Sequence, residues 1–196
     1  MCFEAMVLSD RTIKKEIAKG RIVIEPLTMG CIQPASVDLH LDKRLLVFKP
    51  QRYPAYIDVR HSIEHLNELV ELDEDRAFFL NPGEFVLVST LESITLPDDI
   101  VGRLEGKSSL GRIGLLVHST AGYVDPGWHG HLTIELSNVA KLPITLYYKM
   151  KIGQISFLRL TSAVDRLYGA AELGSKYQGQ TEPTASKYHE DFVRGL

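Results

Sequence analysis

The chain has 196 residues and a mass of 22.0 kDa, enough for one well-buried domain and short for two. Hydrophobic residues make up 44% and charged residues 24%, which excludes a disordered composition. The formal charge is −3, from 22 Lys and Arg against 25 Asp and Glu, which argues against general binding to nucleic acid or an anionic membrane.

Any anionic ligand must therefore be held by a local cluster of cations. The two cysteines, Cys2 and Cys31, cannot build a disulfide framework and point to a reducing compartment. The start, Met1-Cys2-Phe3-Glu4-Ala5, lacks the basic and apolar regions of a signal peptide. No stretch approaches the roughly 20 apolar residues of a membrane helix. A cytoplasmic location is the expectation.

Residues 8–20 read as an amphipathic helix, with Ser9 or Asp10 as cap, Ile13 and Ile17 on one face, and Gly20 as stop. The period then changes to two. Residues 36–41 alternate strictly and place Val37, Leu39 and Leu41 on one strand face. Residues 77–80 and 84–88 read as strands flanking Asn81-Pro82-Gly83, where Pro then Gly fits a type II turn. Further strands are predicted over 22–24, 56–59, 100–105, 132–136, 144–148 and 154–160, and a second helix over 61–72. Many short strands between Gly, Pro and Asn turns favour an antiparallel sandwich or barrel. From Gly169 onward the chain is polar, the pattern of a disordered tail or a closing flap.

Six of the fifteen glycines lie between residues 106 and 130, where backbone must turn sharply or approach a ligand closely. The same window holds Lys107-Ser108-Ser109-Leu110-Gly111-Arg112, whose cations, hydroxyls and main-chain N–H groups suit a phosphate chain. Walker spacing is absent, so this is no P-loop, and a solvated turn leading into a short helix remains an alternative. Downstream, alternation sets Thr133, Glu135 and Ser137 opposite Leu132, Ile134 and Leu136. Glu135 is then either a solvated strand-face carboxylate or a general base facing a cavity.

Two metal arrangements fail on the residues. His129-Gly130-His131 has no evident third ligand. A zinc deaminase needs H-x-E and P-C-x-x-C, and none of the seven histidines is followed two residues later by Glu.

Taken together, Gly106-Lys107-Ser108-Ser109-Leu110-Gly111-Arg112, the stretch His118-Ser119-Thr120-Ala121-Gly122-Tyr123-Val124-Asp125-Pro126-Gly127-Trp128, and Thr133-Ile134-Glu135 resemble the core motifs of dCTP deaminases, relatives of the trimeric dUTPases. Gln33-Pro34-Ala35-Ser36-Val37-Asp38-Leu39, Asn81-Pro82-Gly83-Glu84, Lys151-Ile152-Gly153-Gln154 and Ser175-Lys176-Tyr177-Gln178-Gly179-Gln180 agree, so the likeness runs from about residue 8 to residue 180. It implies a mainly β, distorted jelly-roll fold with a short N-terminal helix. The domain would span 1–173 and a polar flap 174–196. The assembly would be a homotrimer with active sites shared between subunits. The substrate would be dCTP with Mg²⁺ on its triphosphate and no zinc.

Carried over by motif, Lys107, Ser108, Ser109, Leu110, Gly111 and Arg112 belong to the phosphate and water-positioning segment. Asp125 lies near the deoxyribose, Thr133, Ile134 and Glu135 face the base, and Gln154, Tyr168, Lys176 and Gln180 are outer contacts. The resemblance implies catalytic roles for Glu135, Ser108, Arg112 and Asp125. Glu135 would take the proton of the attacking water, with Ser108, Arg112 and the Ala121 carbonyl positioning that water. Gly122-Tyr123 resembles the members that proceed to dUMP, glycine leaving room by the phosphates for a second water beside Asp125. The alternatives are a deaminase that releases dUTP and a catalytically silent nucleotide-binding jelly-roll. The likeness also leaves Met1 or Met6 as the start.

Overall fold

The computed structural model describes residues 7–49, 56–117 and 121–194, so Cys2, the Met1 or Met6 start and His118-Ser119-Thr120 lie outside the described residues. The N-terminal helix α1 (Asp10–Ala18) falls inside the predicted span and ends before Gly20 at φ +68°. Ser9 holds the N-cap position, but its hydroxyl sits 3.4 Å from the Thr12 hydroxyl and caps no main-chain N–H. Ile13 is fully buried, and Glu16 ties the helix to the body through Arg21 at 2.7 Å and Arg159 at 3.3 Å.

The strands are β1 (Val23–Glu25), β2 (Val37–Phe48), β3 (Asn67–Glu71), β4 (Phe78–Leu80), β5 (Phe85–Thr95), β6 (Ile100–Gly106), β7 (Leu115–Val117), β8 (Tyr123–Val124), β9 (His129–Asn138), β10 (Ile144–Leu146) and β11 (Lys151–Arg159). A nine-stranded sheet runs β7-β9-β5-β2-β11-β6-β8, with β1 added to β5 and β3 to β2, while β4 and β10 pair separately. Register shifts interrupt β2 between Leu41 and Leu45 and β5 between Ser89 and Ser93. An irregularity of this kind bends and twists a long strand, which lets one sheet curl around a core. Val37, Leu39, Leu41, Ile134, Leu136, Ile155 and Phe157 meet inside the curl, each with 0% exposure. The architecture is mainly β, the distorted jelly-roll expected. No helix among the described residues is long and apolar enough to cross a membrane.

Two predicted elements are corrected. Residues 61–72 form no helix; a 3₁₀ turn (Glu64–Leu66) leads into β3, which pairs Val70 with Leu45 along an edge of β2. The i,i+3 apolar spacing there loses to a sheet edge that needs hydrogen-bond partners. Residues 56–59 form no strand, because Asp58 accepts from the Arg60 main-chain N–H at 3.1 Å and turns the chain. The Pro82-Gly83 turn is present, with Gly83 at φ +79° and Glu84 N–H donating to the Asn81 carbonyl at 3.0 Å. Its two strands part company, however: β4 pairs with β10 and β5 with β9.

Candidate active site

The site grows out of the alternation of β9. Leu132, Ile134 and Leu136 enter the core, which leaves Thr133, Glu135 and Ser137 on the opposite face, beside Ser89, Leu87 and Phe85 of β5. A cavity of about 450 Å³ opens on this face, and Thr133, Glu135, Asp125, Tyr168 and Gln180 all line it. Its remaining wall is apolar, with Phe48, Ile63, Phe85 and Leu87. Such a wall lowers the local dielectric around a half-buried carboxylate and suits the faces of a flat base.

Asp125 opens a second tight turn, in which Trp128 N–H donates to the Asp125 carbonyl at 3.1 Å and Gly127 takes φ +83°. A side chain at Gly127 would meet Leu167 at 2.6 Å, so glycine is required for this packing as well as for the turn. Tyr168 stacks at a tilt on Trp128, ring centroids 5.4 Å apart, and burial pushes its phenol above the ordinary tyrosine range. Asp125, Tyr168 and Tyr177 also line an adjoining cavity of about 360 Å³ that contains Ser175 and Lys176. One recess therefore runs from Glu135 past Asp125 to an ammonium group.

The C-terminal segment is ordered along β9. His131 N–H donates to the Gln180 carbonyl at 3.0 Å, the Gln180 carboxamide donates to the His131 carbonyl at 2.8 Å, and Gly179 N–H donates to the His129 carbonyl at 2.8 Å. Gln178 adds three bonds, to His129 N–H and to the Gly127 and Tyr168 carbonyls. Beyond it, Thr184 N–H donates to the Thr133 hydroxyl at 3.2 Å, and Thr184 and Ser186 join the cavity wall. Gly130 permits this approach: it sits at φ +133°, and a Cβ there would lie 2.8 Å from the Gln180 carbonyl oxygen. Lys176 is 2.6 Å from Asp191 of a short helix α3 (His189–Arg194). The two histidines are also accounted for, since His129 bonds the Thr95 hydroxyl at 2.9 Å and His131 donates Nδ1–H to the Thr90 carbonyl at 2.9 Å.

The Lys107-to-Arg112 segment lies elsewhere. Lys107 precedes a one-turn helix α2 (Ser108–Gly111), and Lys107, Ser108, Gly111 and Gln154 line a separate cavity that shares no lining residue with the one at Glu135. Lys107 reaches Asp38 at 2.5 Å, and Lys151 reaches the same carboxylate at 2.9 Å. Burial pushes Asp38 up, but the hydrogen bonds from both lysines outweigh it and hold the carboxyl below the usual range. Ser108, Ser109 and Arg112 are exposed, whereas Leu110 packs half-buried against the core. The segment thus forms the turn and short helix read from the sequence. Its hydroxyls and guanidinium face outward, away from Glu135.

Three predicted positions acquire a different meaning. Ile134 is fully buried in the core, so only its main chain can meet a ligand. Leu110 likewise contributes packing. The missing side chain of Gly122 points at the Leu104 carbonyl, 3.0 Å from where a Cβ would stand, so a side chain there would press on β6. Tyr123 and Ala121 supply the wall instead. Sequence reasoning missed Asn67, which is 8% exposed, donates to the Ile63 carbonyl at 2.9 Å and lines the Glu135 cavity. Its side-chain oxygen and that of Gln180 are buried without a protein partner, leaving two acceptors for whatever fills the cavity. Asn67 escaped notice because 61–72 had a helical pattern, which hid its strand neighbours.

Residues 7–160 match the dCTP deaminase-like family model. The chain is 57% identical over 189 residues, 96% of its length and 100% of the relative's, to the "dCTP deaminase, dUMP-forming" of Mycolicibacterium smegmatis. It is 56% identical to the protein of the same name from Beutenbergia cavernae, over 96% of this chain and 98% of that one. Among solved structures it resembles the 2′-deoxycytidine 5′-triphosphate deaminase of Agrobacterium tumefaciens, with a TM-score of 0.61 and 27% identity over 79% of this chain. This chain spans about half of that one, 48% of its length. The family match over residues 7–160 and the near full-length identity show that the chain belongs to the dCTP deaminase-like family.

Proposed function

We propose that the protein converts dCTP and two waters to dUMP, pyrophosphate and ammonia. The observation that carries the reading is the near full-length identity of 57% to an enzyme named for this outcome. That name favours it over a deaminase that releases dUTP, and a silent binder has no use for a carboxylate in the base cavity. Glu135 takes a proton from the first water as the oxygen attacks C4 of the cytosine and delivers it to ring N3, then moves the proton of the new C4 hydroxyl to the departing amine as the carbonyl forms and the C–N bond breaks. The product at that stage is dUTP plus ammonia. Asp125, at the junction of the base and Lys176 cavities, orients the second water toward the α-phosphorus. Gln180 and Asn67 offer their buried oxygens to donors on the nucleotide or its water.

Among the described residues no three His, Cys, Asp or Glu side chains converge as a metal site. Mg²⁺ would arrive as part of the nucleotide, with Asp125 as the available carboxylate of the shared cavity wall, and would supply charge compensation for the leaving pyrophosphate. The site is completed by a second subunit of a homotrimer. Ser108, Ser109 and Arg112 are exposed on one face while Glu135 lies in another cavity, and Ile113, Leu116, Val139 and Leu142 are exposed apolar side chains near α2 and β7. Exposed apolar side chains beside exposed functional groups are what a symmetric interface covers. In this assembly Arg112 and Ser108 of a neighbour help the Ala121 carbonyl hold the attacking water. A cytoplasmic location follows for an enzyme that draws on the dCTP pool.

The test is a product assay with purified protein, dCTP and Mg²⁺, the nucleotides separated at early times. dUMP with little free dUTP is expected, and accumulation of dUTP as the end product overturns the coupled reading. Gly130→Ala probes the C-terminal segment as a flap. The new Cβ collides with Gln180 and strains the strand at φ +133°, so kcat/KM for dCTP is expected to fall by about tenfold or more, with melting curves separating that loss from unfolding of the β body. Kinetics equal to the parent enzyme's would show that the segment is not part of the site.

A further inference from the structure

One cation outside both cavities grips the C-terminal segment at a telling point. Arg44, on β2, donates Nε–H to Asp42 at 3.0 Å, and Asp42 is only 6% exposed. Another guanidinium N–H donates to the Thr181 carbonyl at 2.8 Å, and a further nitrogen lies 3.6 Å from the Glu182 carboxylate. A buried carboxylate thus holds the base of the guanidinium while its outer edge binds the main chain one residue beyond Gln180. A planar, always charged fork is suited to that divided task, and an ammonium is not. Arg44 stands where the segment changes function. Before it, residues 177–180 run along β9; after it, Thr184 and Ser186 cover the base cavity. Arg44 adds a charged attachment from β2 at this point, beside the bonds from Thr184 N–H to the Thr133 hydroxyl at 3.2 Å and from Lys187 N–H to the Tyr177 hydroxyl at 3.0 Å, and so biases whether the covering half stays down.

We propose that Arg44 is a positioning residue that keeps the C-terminal segment closed between the two hydrolyses and so sets the fate of the dUTP intermediate. This rests on the coupled reading above. After deamination, dUTP either loses pyrophosphate to the second water or dissociates, and dissociation requires the segment to lift. The fraction released depends on the ratio of these two rates. Weakening the Arg44 contact speeds lifting and leaves the chemistry at Asp125 untouched, so the ratio moves toward release.

The experiment compares the parent enzyme with Arg44→Lys and with the double variant Arg44→Met, Asp42→Asn, which avoids stranding a buried carboxylate. Products from dCTP and Mg²⁺ are separated at early times, alongside melting curves and solution mass. The double variant is expected to raise the ratio of dUTP to dUMP about tenfold, the order for one charge-assisted hydrogen bond. Arg44→Lys, which keeps the charge but loses the fork, is expected to fall between. A purely structural role would lower melting temperature and total turnover without moving the ratio. Folded variants, the lysine variant included, with the parent's product ratio overturn the proposal. If the parent enzyme itself ends at dUTP, it is the coupled reading that fails, and the parent control identifies that case.

Discussion

Glu135→Gln is expected to cut ammonia release from dCTP by about two to four orders of magnitude, the range for loss of a positioned general base. Glutamine keeps the size and hydrogen-bonding reach of the side chain but cannot take a proton. The strand motivates the expectation, because β9 buries Leu132, Ile134 and Leu136 and leaves Glu135 on the cavity face between Thr133 and Ser137. Titration calorimetry with dCTP should show binding within a few-fold of the parent enzyme, since the phosphate contacts lie elsewhere. The variant should still hydrolyse added dUTP, a reaction assigned to Asp125. Asp125→Asn should do the reverse and accumulate dUTP. Normal ammonia release by the glutamine variant would remove Glu135 from the mechanism.

The second large effect is a recovery. Arg112→Ala and Glu135→Gln should each be nearly inactive alone, yet mixing them under conditions that exchange subunits should restore activity. In a trimer with shared sites, a site is intact when Glu135 comes from one variant and Arg112 from the other. Random assortment makes about a quarter of the sites intact, by one half times one half. The separation of the two cavities motivates this expectation, since Lys107, Ser108 and Gly111 line one and Glu135 the other, with no common residue. Activity that stays near zero after verified exchange would mean that each site is built within one chain.

Much of this was legible in the sequence, for reasons that are local. Period-two alternation requires only the pleat, so Val37, Leu39 and Leu41, or Thr133 and Glu135, sort correctly without knowledge of their neighbours. Gly20 and Gly83 likewise declare a stop and a turn because positive φ is a property of one residue. Motif order was enough to name the family. What was not local was misread: the helical spacing of 61–72 gave way to an open edge of β2, and with it Asn67 was lost as a cavity residue. Gly122 has a contact that spacing does not reveal, since its open side meets the Leu104 carbonyl.

The residues of this protein by themselves determined a mainly β fold, its family, a carboxylate on the outward face of a strand and a cationic segment around a short helix. The tertiary structure alone decided which of these share a cavity, that the C-terminal segment lies along β9, and that Arg44 holds it there. Spacing along a chain encodes dihedral angles and faces. Contacts between residues such as Arg44 and Thr181, 137 positions apart, depend on how the curled sheet brings distant strands together.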